Sequence, residues 1–219
     1  MTKIRKPDPS AGRLPRRSSQ SRLLRIIGGS WRGRRWRFPP LDGIRPTPDR
    51  VRETLFNWLA ARVPGAHCLD LFAGSGALGL EALSRGAAHA TFVEREAAAV
   101  HEIRARLLEW GATGAQVAQA DALHFLEGSP GSPAGHPFDI VFLDPPFDSG
   151  LLGPAARLLE ERGWLAGSAR IYVETAASEG LPALPQSWKA VKAKQAGAVG
   201  YHLLERTGLR AHERGAVSA

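Results

Sequence analysis

From His67 onward the chain alternates short apolar runs with longer Ala- and Leu-rich stretches, and no other feature restricts the fold as much. The runs predict strands near residues 67–72, 90–94, 115–119, 138–143 and 169–174, and helices near 76–85, 96–110, 121–127 and 150–162. Repeated βα units imply a parallel sheet with right-handed crossovers, covered by helices. In such a sheet ligands bind beyond the carboxyl ends of the strands. The residues at those ends therefore carry the functional reading.

The first run, Cys68 to Phe72, leads into Ala73-Gly74-Ser75-Gly76 and then a helix. Gly74 and Gly76 permit a sharp turn and close approach of backbone to a ligand. Gly74-x-Gly76-x-x-Gly79, with Glu94 closing the next run, suits the ribose diol of either a nicotinamide dinucleotide or S-adenosylmethionine. Asp121-Ala122 follows the third run, and Asp144-Pro145-Pro146-Phe147 ends the fourth. Two consecutive prolines have fixed φ and no amide hydrogens, so they form a stiff corner. An acid, a free carbonyl and an aromatic face at that corner suit a flat substrate bearing an NH2 group.

The ordered set resembles the amino-directed, S-adenosylmethionine-dependent class I methyltransferases, whose signature is [Asn/Asp/Ser]-Pro-Pro-[aromatic]. Arg25-Ile-Ile-Gly28-Gly29, the block from Ile44 to Trp58, and Leu69 to Gly76 together resemble the RsmD family, whose members methylate N2 of one guanine in 16S ribosomal RNA. The resemblance spans roughly residues 23–206, and Arg45 to Trp58 is its family-specific part. It implies a Rossmann-like α/β fold with a seven-stranded sheet and an antiparallel last strand, where periodicity alone shows a terminal hairpin over 190–194 and 199–204. It implies cofactor contacts from Asp70, Phe72, Ala73, Gly74, Ser75, Gly76, Glu94, Arg95, Asp121 and Ala122. Glu94 would accept both ribose hydroxyls, Asp121 the adenine amine, and Asp70 would hold the glycine turn. At the corner, Asp144 and the Pro145 carbonyl would accept the two N–H groups of the guanine amine and Phe147 would stack on the base. Arg45-Pro-Thr47 would lie near the methionine end of the cofactor.

Charge divides the chain. Residues 1–50 hold fourteen Lys and Arg against three Asp and Glu, a net of +11, which leaves −3 for the remainder of the +8 total. Such asymmetry points to a polyanionic partner. Residues 1–22, rich in Arg, Pro and Ser, are expected to be a disordered tail. Two extended runs around Gly28-Gly29 predict a basic hairpin, which with the following helix makes an extension over 23–63. Arg25, Arg32, Arg34, Arg35, Arg37 and Arg45 are expected to contact phosphate, with Trp31 or Trp36 stacking on unpaired bases. Thr47 is expected to cap the helix, Pro48 to open it, and Arg50, Arg52 and Glu53 to form a charged face. The methyltransferase domain then occupies 64–207 and a loose tail 208–219.

The single cysteine, Cys68, excludes an intrachain disulfide and reads as a buried thiol, while the seven histidines lack metal-ligand spacing. No apolar stretch approaches the ~20 residues of a membrane span, and a secretory signal is absent. A cytoplasmic monomer acting on an assembled or partly assembled small subunit is expected. A DNA adenine-N6 enzyme could use the same corner, but usually needs a target-recognition domain. A glutamine-directed protein methyltransferase typically has Asn-Pro-Pro-Tyr instead. A nicotinamide oxidoreductase leaves the proline corner idle, and a non-catalytic RNA-binding assembly factor leaves the cofactor motifs idle.

Overall fold

The computed structural model describes residues 21–41, 47–132 and 135–208. Seven strands form one sheet: β3 (His67–Asp70), β4 (His89–Glu94), β5 (Ala115–Gln119), β6 (Phe138–Leu143), β7 (Leu165–Ala176), β8 (Trp188–Ala196) and β9 (Val199–Arg206), preceded in the chain by the separate hairpin β1 (Arg22–Arg25) and β2 (Arg35–Phe38). The spatial order is β5-β4-β3-β6-β7-β9-β8. The first five are parallel, and β9 runs antiparallel between β7 and β8. The order reverses between β3 and β6, whose carboxyl ends flank the crevice where open α/β sheets bind ligands.

Side chains alternate across the sheet. Cys68, Ile140, Phe142 and Tyr172 face one apolar layer with α1 (Asp49–Trp58), α2 (Ala77–Ser84) and α3 (Ala97–Glu109). Leu69, Val141, Leu143 and Val173 face the other, with α4 (Ala122–Leu126) and α5 (Leu152–Glu161). Cys68 is fully buried and its thiol is pushed upward by burial, as a structural thiol should be. β3 stops at Asp70 rather than continuing to Phe72, because the chain peels away into the glycine turn. β7 begins at Leu165, ahead of the apolar run, after a register shift opposite β6.

The N-terminal extension is joined to the cofactor-side helix. Both Glu81 carboxylate oxygens accept backbone amides, from Gly28 and Ile27, at 2.8 Å each. Trp31 N–H donates to Ser84 Oγ, and Ser84 in turn donates to the Gly28 carbonyl. Gly29 is required here: its φ is +78°, and a Cβ would stand 1.8 Å from the Ser84 carbonyl oxygen. Arg52, expected on a charged face, is instead wholly buried. It donates to the carbonyls of Thr47 and Arg25 and pairs with Asp49 and Glu81. Such a cation is kept at low cost only because its donors are satisfied. A second correction concerns Trp36, which is 3% exposed and packs edge-on against Trp110. Its ring faces protein, so it is not available to stack on a base. Trp31, half-buried, also leans on Trp110.

Candidate active site

A cleft of about 670 Å3 lies at the carboxyl edge of β3, β4, β5, β6 and β7, within the roughly 300–1,000 Å3 usual for small-molecule sites. Residues from all four strand-end motifs line it: Asp70, Phe72, Ala73, Gly74, Ser75, Glu94, Arg95, Asp121, Ala122, Asp144, Pro145, Pro146 and Phe147. Gly76 stands just behind, as the residue before α2, with φ +74°. A Cβ on Gly76 would meet Ile103 Cγ1 at 2.9 Å, so α3 closes that side of the turn.

Backbone amides hold the acids in place. Glu94 accepts from Gly74 N–H at 2.7 Å and Glu96 N–H at 2.8 Å, one bond to each oxygen. An ionised carboxylate offers about four acceptor sites, so capacity remains for a diol. Asp70 accepts from Gly79 N–H at 2.9 Å, inside α2, rather than from the glycine turn itself. Gly79 is needed there because a Cβ would stand 2.2 Å from the Phe92 ring. Burial, opposed by that amide and reinforced by Glu94, pushes Asp70 up to about 7. Asp121 caps α4, accepting from Leu123 and His124 amides through Oδ1. Arg95 is exposed and lies beside Glu96.

The proline corner leaves Asp144 half-buried, Pro145 buried, and Phe147 39% exposed at the cleft. Among the described residues no backbone or side-chain group donates to the Pro145 carbonyl, which leaves it open as an acceptor. Thr47 does not cap α1. Pro48 takes the capping position without a side-chain bond, and the Thr47 hydroxyl turns instead to Asp144 Oδ2, at 3.5 Å. Glu174 of β7 also lines the cleft, 4% exposed, and receives a hydrogen bond from the Tyr172 hydroxyl at 2.7 Å. Sequence reading missed Glu174. Its signal was an acid at the end of the fifth apolar run, the same position that singled out Glu94 and Asp144.

The arginines at 32, 34, 35 and 37 are exposed on the hairpin, away from the cleft lining. Arg34 also lies over the Trp110 ring, 5.8 Å from its centroid. Arg25 pairs with Asp49 at the start of α1. Arg45 and the two terminal tails beyond residues 21 and 208 lie outside the described residues.

The family described as Conserved hypothetical protein 95 matches residues 24–205. Ribosomal RNA small subunit methyltransferase D of Escherichia coli (strain K12) is 50% identical over 188 residues, 86% of this chain and 92% of that protein. Its namesake from Haemophilus influenzae is 44% identical over 184 residues, 83% of this chain and 93% of its own. Among solved structures, a putative methyltransferase, yhhF, from Escherichia coli superposes with a TM-score of 0.77 at 48% identity, covering 85% of this chain and 99% of that one.

Proposed function

The chain belongs to the RsmD family, the one described as Conserved hypothetical protein 95, and from that premise we propose that it methylates the exocyclic N2 of a guanine in small-subunit ribosomal RNA. S-adenosylmethionine is the methyl donor, and its sulfonium supplies an electrophilic carbon. The cleft fits such a cofactor. Glycines open the turn for close approach, Glu94 retains acceptor capacity for a ribose, and Ala122 and Val93 provide apolar wall.

The observation that carries the reading is the proline corner beside that cleft. Guanine N2 is a weak nucleophile because its lone pair is delocalised into the ring. Asp144 and the unengaged Pro145 carbonyl accept its two N–H groups and favour a pyramidal nitrogen. Phe147 holds the base by stacking. This is positioning plus stabilisation of positive charge growing on nitrogen. Asp144 then receives the proton that the methylated amine loses. Exposed arginines on the hairpin hold the RNA backbone. A small subunit, assembled or in part, presents the guanine to a monomeric enzyme in the cytoplasm.

The test supplies labelled S-adenosylmethionine and small subunits from a strain lacking the gene, and maps the modified nucleotide by mass spectrometry. One N2-methylguanine in 16S RNA is expected. Asp144→Ala should lower transfer at least ~100-fold while cofactor affinity changes little. Label on adenine or on protein, or normal turnover by the variant, contradicts the reading.

A further inference from the structure

Asp144 and Glu174 reach the cleft from the neighbouring strands β6 and β7, and the proposed chemistry uses only Asp144 directly. Leu143 and Val173 are register partners in β6 and β7, so the residues that follow, Asp144 and Glu174, stand side by side at the sheet's carboxyl edge. Both line the cleft. The Thr47 hydroxyl donates to Asp144 at 3.5 Å. Tyr172 donates to Glu174 from within β7. Among the described residues, Tyr201, the register partner of Glu174 on β9, and Asp70 on β3 are the other titratable groups acting on the pair, and none of these groups is cationic.

Two carboxylates so placed do not both ionise readily. Burial first, then Glu174 and Asp70, push Asp144 well above the usual carboxylate range, against the Thr47 hydrogen bond. Burial likewise raises Glu174, against the hydrogen bond from Tyr172.

We propose that Glu174 is a positioning residue which shares a single proton with Asp144, the pair releasing it when a cationic cofactor enters and regaining one from the methylated amine. The inference rests on the function proposed above. The charges balance over one turnover. The pair gives up its proton as one positive charge arrives. The amine lone pair then forms the N–C bond while the C–S electron pair leaves with sulfur, and the positive charge moves to nitrogen. The N–H bond breaks to place a proton on Asp144. The pair again holds one.

Calorimetry in buffers of different ionisation enthalpy counts protons on cofactor binding. Near pH 7, S-adenosylmethionine binding should release a substantial fraction of a proton, and the uncharged-sulfur product S-adenosylhomocysteine much less. This difference is read on the unmodified protein, so it stands even if a variant misfolds. Glu174→Gln should abolish the difference, and should shift the acidic limb of the methyl-transfer pH profile to lower pH, because Asp144 loses its like-charged neighbour. Equal proton counts for the two ligands, or a Glu174→Gln variant with parental counts and profile, overturn the proposal. Failure of both ligands to bind overturns the cofactor reading of the cleft itself, and the proposal with it.

Discussion

Single residues in this site carry opposing demands, and Asp70 shows the clearest case. It accepts the Gly79 amide and so fixes α2 against the sheet, yet it is buried and shifted from 3.8 up to about 7. A carboxyl raised in the folded state binds its proton there more tightly than in the unfolded chain. Its contribution to stability is therefore full below pH ~4 and declines as pH rises through about 7. Asp70→Asn retains a carbonyl acceptor without the ionisation. Denaturant unfolding should find the variant gaining on the parent from pH 5 to pH 8, by about 2.6 kcal/mol at most for a shift of this size. A constant gap across that range would show that Asp70 does not titrate with folding. Glu94 makes the contrasting demand, since it holds the loop and, in the function proposed, the ligand as well. Glu94→Ala removes the acceptor for the Gly74 and Glu96 amides as well as for a ribose. Cofactor affinity should fall by about 1.5–3 kcal/mol for each charge-assisted bond lost. Titration calorimetry checks this, and equal affinity in parent and variant contradicts the assignment.

At the scale of elements, the hairpin and α2 are tied together by buried polar contacts. Glu81, wholly buried, accepts two hairpin amides and pairs with Arg52 and Arg85. Glu81→Ala leaves Arg52 as a buried cation short of a partner, which costs about 3–5 kcal/mol. Gly29→Ala forces a Cβ into the Ser84 carbonyl at a positive φ. Both variants should release the hairpin first, and hydrogen exchange at the amides of Ile27, Gly28 and Trp31 should quicken before that of β3. Retained protection at those amides would place the anchor elsewhere. Because α2 starts at the glycine turn, cofactor affinity should weaken as well. The βα alternation and the strand-end acids were legible in the sequence because periodicity and strand ends are local properties. The seating of Thr47, Arg52 and Trp36 was not. Thr47 meets an acid ninety-seven residues away, Arg52 meets Glu81 twenty-nine away, and Trp36 packs on Trp110 of another element. A hydroxyl before Pro48 reads locally as a cap, an arginine in an amphipathic helix reads as solvated, and a tryptophan among arginines reads as a base platform. Tertiary partners decided each one otherwise.

Across the whole molecule the charge is segregated, with +11 in the first fifty residues and −3 in the rest. The acidic share gathers where the cleft needs acceptors, and Asp70, Glu94, Asp144 and Glu174 all line it. A polyanion would be repelled from that edge, and the opposite charge is offered by Arg32, Arg34, Arg35 and Arg37, exposed on the docked hairpin. Neutralised phosphates release counterions, so binding falls with salt by about 0.7 log units per contact on single strands. Replacing the four arginines with glutamine should flatten the log–log salt slope by about three units if each touches phosphate. Their side chains are exposed and Glu81 holds the hairpin through its backbone, so these changes should leave cofactor affinity and unfolding midpoint near the parent's. Methylation of the subunit should nevertheless fail at physiological salt and recover in part at low salt, as binding through the remaining basic groups strengthens. Binding to RNA or subunits across a salt series decides the matter. Parallel slopes for parent and variant would mean that the hairpin only covers α2 and that RNA is held by other basic groups of the chain.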